Sequence, residues 1–136
     1  MQDQWLPAIA RILLSAVFVR SGLRHCLDFA GTQAAIASNG IPDFLAMGMA
    51  AVAIGLLLGG GCSILFGYQT RKGAIALILF LIPATLLFHL NLSDPMQEIQ
   101  LLKNIGLMGG LLLLIKTGPG LLSLDGPHRK SWYSRR

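Results

Sequence analysis

From Phe44 to Leu65 the chain carries no Asp, Glu, Lys or Arg. At a rise of about 1.5 Å per residue, a helix of that length crosses the hydrocarbon core of a bilayer, which is about 30 Å thick. Inside that core every backbone N–H and C=O must be paired within the protein, so a single apolar run has to be helical. Gly40-Ile41-Pro42-Asp43 punctuates the start of the run, and the polar turn Gly67-Tyr68-Gln69-Thr70-Arg71-Lys72 closes it. This one segment points to an all-α integral membrane protein.

Three more runs fit the same length. Trp5 to Leu27 is apolar apart from Arg11, Arg20, Arg24 and its polar end; Gly73 to Leu90 is interrupted by Pro83, Thr85 and His89; about Ile99 to Lys116 carries Lys103 and Asn104 near its start. Pro83 removes an amide donor from its helix and predicts a kink. Phe29 to Asn39 is too short to span and reads as a short interfacial helix or re-entrant element closed by Gly40. The expected fold is a four-helix membrane bundle with spans at about 5–27, 43–66, 73–90 and 99–116 and a short interfacial helix between spans one and two. The membrane domain covers 1–125, and residues 126–136 form a basic cytoplasmic tail.

Composition agrees. Hydrophobic residues make up 54% and charged residues 12%, against about 25% charged in a soluble domain. That leaves too little polar surface to face water on every side. Met1-Gln2-Asp3-Gln4 lacks the positive start of a cleavable signal peptide, so the first run is expected to remain as a helix. The net charge of +5 sits beside apolar runs and in the tail, without the aromatic-and-basic stripe of a nucleic-acid surface, so nucleic acid is not an expected partner.

An even number of spans puts both termini on one side. That side holds Arg71, Lys72, Lys116, Arg129, Lys130, Arg135 and Arg136, whereas the loop Asn91 to Gln100 has Asp94 and Glu98 and no Lys or Arg. The positive-inside bias places both termini in the cytoplasm. Arg20 and Arg24 run against that bias at the outer end of span one.

Ionisable residues within spans are energetically expensive, about 3 kcal/mol at a helix centre on insertion scales, and so mark positions worth attention. Arg20, Arg24, His25 and Asp28 end span one, His89 ends span three, and Gln100, Lys103 and Asn104 begin span four. Three helices thus bring polar groups to one depth. Arg20, Arg24, His89, Lys103 and Asn104 are the candidate ligand-binding residues: arginine offers forked donors, lysine a point charge and asparagine orientation toward an anion, a quinone headgroup or a lipid phosphate. Snorkelling of the same side chains to headgroups is the plainer alternative, as is an Arg24–Asp28 pair four residues apart. Arg11, deeper in span one, suits a structural bond to loop carbonyls near Thr70 and Arg71 as well as it suits catalysis.

Cys26 and Cys62 are expected at depths about 30 Å apart, too far for a disulfide that needs Cα atoms within about 7 Å. No metal-ligand spacing, phosphate loop, nucleophile elbow or paired carboxylate stands in the sequence, so no catalytic residue, metal or resident cofactor is expected, a quinone aside. Gly55, Gly59, Gly60 and Gly61 in span two, with Gly106 and Gly110 in span four, predict close helix packing, either within the bundle or across a homodimer seam.

Taken in order, Arg11, Ser21-Gly22-Leu23-Arg24, Asp28-Phe29-Ala30-Gly31-Thr32, Asn39-Gly40-Ile41-Pro42, Gly60-Gly61, Gly67 with Thr70-Arg71, Leu87-Phe88-His89, Leu102-Lys103-Asn104, Gly109-Gly110, Gly118-Pro119-Gly120 and Ser123-Leu124-Asp125 resemble the DoxX family of small bacterial membrane proteins. The resemblance covers most of the chain. It implies a four-helix protein of the bacterial inner membrane, or of a thylakoid membrane in a photosynthetic source. Family members have been linked to thiosulfate:quinone oxidoreduction, to terminal oxidase complexes and to oxidative-stress assemblies. Many relatives carry an acid in span two where this chain has Leu57, and a lysine where it has Arg24. The missing acid weighs against proton-coupled chemistry, and Arg24 keeps the charge but loses lysine's tunable pKa.

The expected function is therefore an accessory or ligand-binding subunit of a quinone-linked redox or oxidative-stress membrane system, more plausibly a subunit than a stand-alone enzyme. A purely structural subunit of a larger membrane complex is the alternative. An oxidoreductase acting through Cys26 is the third reading.

Overall fold

The computed structural model describes residues 5–88 and 93–125. Five helices follow in order: α1 Trp5–Leu27, α2 Phe29–Ala37, α3 Asp43–Phe66, α4 Thr70–Phe88 and α5 Pro95–Thr117. Four of them, all but α2, are long and apolar enough to cross a membrane. The end at which α1 starts is called basal here, and the opposite end, which carries α2, distal. His89 and the tail over 126–136 lie outside the described residues, so those two expectations meet no structural statement.

The bundle buries several polar side chains and exposes many apolar ones. Arg11, Ser15, Thr70, Thr85 and Asn104 are buried, while Leu13, Val52, Leu79, Leu112 and Leu113 are exposed. Water would not tolerate that much exposed apolar surface on every helix, whereas acyl chains solvate it.

Helix α1 packs on α3, α3 on α4 and α4 on α5, while α1 and α5 share a much thinner seam. The core of Phe18, Leu57, Ile64, Leu77, Leu81 and Leu111 lies where the four meet. Glycines set the tightest approaches: a Cβ on Gly60 would lie 2.9 Å from the Gly73 carbonyl, and one on Gly61 2.9 Å from Val19. The expectation of an internal seam fails for the other glycines. Gly55, Gly59, Gly106 and Gly109 have open space where a Cβ would be, and Gly110 would make only ordinary contact with Leu14. The reason is helical phase: Leu57, Gly60, Gly61 and Ile64 share the inward stripe of α3, which leaves Gly55 and Gly59 facing outward.

Local chemistry fixes the helix ends. Asp28 alone separates α1 from α2, and its carboxylate accepts the Gly31 N–H at 3.1 Å as an N-cap. The corner lays α2 across α3, where Ile36 is buried with Ala46 and Ala50 and flanked by Phe88. At the basal end Gly67 adopts φ +68°, and the Tyr68 N–H reaches back to the Ser63 carbonyl at 3.0 Å, a glycine-terminated helix. Helix α4 then starts at Thr70, ahead of the expected Gly73, so Arg71 and Lys72 sit in its first turn. Helix α5 starts at Pro95, ahead of the expected Ile99, because Asp94 caps the Met96 N–H at 2.9 Å and proline suits the first helical position. Lys103 and Asn104 consequently lie about two turns inside α5.

Candidate functional site

The distal half of the bundle encloses a crevice of about 680 Å³, a volume in the range of small-molecule sites. It exists because α1 and α5 stand apart there while α3 and α4 form its back. Arg20, Ser21 and Arg24 face it from one helix; Gln97, Gln100, Lys103 and Asn104 face it from the other; Thr32 of α2 closes its top. Each set follows helical spacing. Arg20 and Arg24 are one turn apart, and Gln97, Gln100, Asn104 and Leu107 form one stripe of α5.

Four of the five residues singled out in the sequence therefore line one cavity: Arg20, Arg24, Lys103 and Asn104. His89, the fifth, lies outside the described residues. The four differ in how they are held. Arg20, Arg24 and Lys103 are exposed, and the Lys103 ammonium donates to Gln100 Oε1 one turn back. Asn104 is 7% exposed, and its side-chain amide donates to Thr85 Oγ1 of α4 at 3.0 Å. One donor of Asn104 thus ties α5 to α4, and the residue is as much a helix link as a candidate ligand contact.

Three further polar residues belong to the crevice that the sequence did not single out: Ser21, Thr32 and Gln97. Thr32 is positioned by His25, whose Nδ1 lies 3.0 Å from Thr32 Oγ1, and by the Asp28 carbonyl, which accepts from that hydroxyl at 2.9 Å. Ser and Thr carry no signal in an apolar run, because their hydroxyls bond within their own helix at little cost. Leu57, where the family resemblance marks an acid in many relatives, also faces the cavity.

The chemistry is one-sided. Arg20, Arg24 and Lys103 place three cations around the opening, and among the described residues no carboxylate lines it. Low-dielectric walls focus such a field, so the crevice suits an anion or an acceptor-rich headgroup. Guanidinium forks match phosphate and carboxylate geometry.

Arg11 belongs elsewhere. It is 3% exposed at the basal end. Its guanidinium donates to the carbonyls of Ile64 and Leu65 at 3.2 Å each, and to that of Leu122. The sequence suggests loop carbonyls near Thr70 and Arg71 as one of two readings. The actual ones close the C-terminal end of α3 and hold the segment after α5, which periodicity could not place. That segment continues along the α3–α4 turn, with Leu124 N–H on the Phe66 carbonyl at 3.2 Å, Asp125 N–H on the Gly67 carbonyl at 3.0 Å and the Asp125 carboxylate accepting from Thr70 N–H at 3.3 Å. Cys26, exposed at the distal end, and Cys62, in the basal part of α3, are both free thiols.

Comparison with known proteins adds family identity. The chain is 37% identical to inner membrane protein YqjF of Escherichia coli strain K12 over 124 residues, covering 91% of this chain and 92% of the relative. It is 31% identical to inner membrane protein YphA of the same organism over 126 residues, covering 88% of each. No solved structure matches it. The DoxX family profile matches residues 6–90, from α1 to the end of α4, and with two relatives of nearly equal length this integral membrane protein belongs to the DoxX family.

Proposed function

We propose that this chain is a ligand-binding subunit of the bacterial inner membrane, serving a quinone-linked redox or oxidative-stress system. The observation that carries the proposal is the crevice itself: three cations and five amide or hydroxyl side chains converge on about 680 Å³ of space between the spanning helices, with no acid among the described lining residues. A quinone headgroup presents two carbonyl acceptors, and an anionic headgroup presents more; both suit a wall of donors. Helix positions support the same reading. Lys103 and Asn104 sit about two turns inside α5, and Asn104, buried and bonded to Thr85, faces the bundle interior.

Both relatives are named as inner membrane proteins, which supports the same membrane here. Arg71, Lys72 and Lys116 lie at the basal end, which supports cytoplasmic termini and an outward-facing crevice. In that orientation Arg20 and Arg24 oppose the positive-inside bias, and a bound headgroup gives the two arginines a reason to be there.

The outward-facing Gly55, Gly59, Gly106 and Gly109 favour a second reading, an assembly subunit that offers flat helix faces to other spans. Native mass spectrometry of the gently solubilised protein separates the two. The binding reading expects a small molecule retained by the wild type and lost from Lys103→Ala. Partner subunits or a homodimer without a small molecule, unchanged by that substitution, would establish the assembly reading in its place.

A further inference from the structure

Behind the crevice lies a second cavity of different character. It is a groove of about 430 Å³ between the distal halves of α3 and α4, open to the lipid side, and its lining is apolar throughout. Gly48 and Val52 line the α3 side; Leu79, Pro83 and Leu87 line the α4 side. The groove follows from two local facts. Tight glycine packing of α3 on α4 is confined to Gly60 and Gly73 in the basal half. In the distal half Pro83 has no amide hydrogen for the Leu79 carbonyl and crowds it, which bends a helix away from regular packing.

Ile36, Ala53, Phe80, Ala84 and Phe88 line both cavities. The wall between them is therefore one side chain thick, and two of its members are alanines. A molecule with its polar end among Arg20, Arg24 and Lys103 has an apolar groove directly behind that wall at the same depth. The direct way out between α1 and α5 is less suitable for an alkyl chain, because exposed Arg20 and Lys103 rim it.

We infer that crevice and groove together hold one anionic lipid, its phosphate among Arg20, Arg24 and Lys103 and its acyl chain passing Ala53 and Ala84 into the groove between α3 and α4. The inference rests on reading the crevice as a binding site and names the class of ligand that fills it. Charge selects the headgroup: three cations without a lining carboxylate attract a phosphomonoester over a neutral or zwitterionic head. An apolar groove one side chain away from the cations, across Ala53 and Ala84, selects a ligand with a tail.

The test is a titration read by native mass spectrometry from maltoside micelles. Three probes are compared: palmitoyl lysophosphatidate, glycerol 3-phosphate and palmitoyl lysophosphatidylcholine. The wild type is expected to bind the first at least about tenfold more tightly than either of the others. Gly48→Leu and Ala84→Phe fill the groove and its wall with the crevice; a Cβ at Gly48 meets nothing within 4 Å. Each should weaken lysophosphatidate about tenfold and leave glycerol 3-phosphate at its wild-type level, whereas Lys103→Ala should weaken both. Thermal unfolding of each variant confirms that it is folded. Wild-type lysophosphatidate binding in both groove variants, with loss in Lys103→Ala, would overturn the tail path and leave the binding reading of the crevice intact. Equal binding of the zwitterionic lysolipid would overturn charge selection. No lysophosphatidate binding by the wild type would overturn the lipid assignment while leaving a quinone headgroup open to the earlier test. Lysophosphatidate binding untouched by Lys103→Ala and by the groove variants alike would remove both proposals.

Discussion

The two ends of this bundle treat the same side chain in opposite ways. At the basal end Arg11 is buried, and its guanidinium serves three backbone carbonyls from two separate parts of the chain. In the distal half Arg20 and Arg24 are exposed toward a cavity and offer their donors to whatever enters it. One arginine closes structure, and the other two leave it open. Burial and backbone pairing, rather than residue type, separate a structural cation from a candidate binding one.

That contrast can be tested by substitutions of decreasing expected effect. Arg11→Met leaves the Leu65 and Leu122 carbonyls without their donor, while that of Ile64 keeps the Gly67 N–H at 3.2 Å; the cost is about 3 kcal/mol in all if each orphaned acceptor costs about 1.5 kcal/mol. Unfolding by dodecyl sulfate in mixed micelles should show the loss, and a wild-type midpoint would mean that the basal end is not a closure. Gly67→Ala comes next. The residue's φ of +68° disfavours a side chain, and a Cβ there would collide with Ser123 and the Arg11 guanidinium. A loss of about 2 kcal/mol is expected by the same measurement. Thr85→Val removes the acceptor of the buried Asn104 amide, and about 1 kcal/mol should go with it, typical of hydrogen bonds between membrane helices. Gly106→Ala, on an open helix face, should raise stability by about 0.5 kcal/mol through helix propensity; a fall instead would reveal that another helix covers this face in the membrane. Lys103→Ala should change stability least, within about 0.5 kcal/mol as for an exposed side chain, while abolishing ligand retention. Marked destabilisation by Lys103→Ala would erase the distinction between the two ends.

Much of the fold was legible from physical constraints on length. A charge-free run as long as Phe44 to Leu65 has few options, and the short segment from Phe29 had too few residues to span. The start of α5 was missed by four residues because polar Gln97 and Glu98 hide a helix that Asp94 and Pro95 already declare. The crevice was legible in part, since charged groups inside apolar runs stand out while hydroxyls do not. Arg20, Arg24, Lys103 and Asn104 were found in that way, and Ser21, Thr32 and Thr85 were not. Glycine spacing identified close-packing potential but not helical phase, so Gly60 and Gly61 pack inward while Gly55 and Gly59 face out. The segment after α5 has no period at all. Its course depends on Gly118 and Gly120 at positive φ and on a partner far back in α1.

That distance along the chain has a consequence for biogenesis. Arg11 enters the bilayer with the first helix to emerge from the ribosome, yet its Leu122 partner lies 111 residues later. The crevice likewise has no second wall until α5 is inserted, because Lys103 and Asn104 come from the last span. Synthesis therefore ends by supplying both the missing wall of the cavity and the last carbonyl partner of Arg11. A nascent chain stopped short of Leu122 would keep only the Ile64 and Leu65 carbonyls on its guanidinium, and Nη2 would join the buried Nε in lacking a partner.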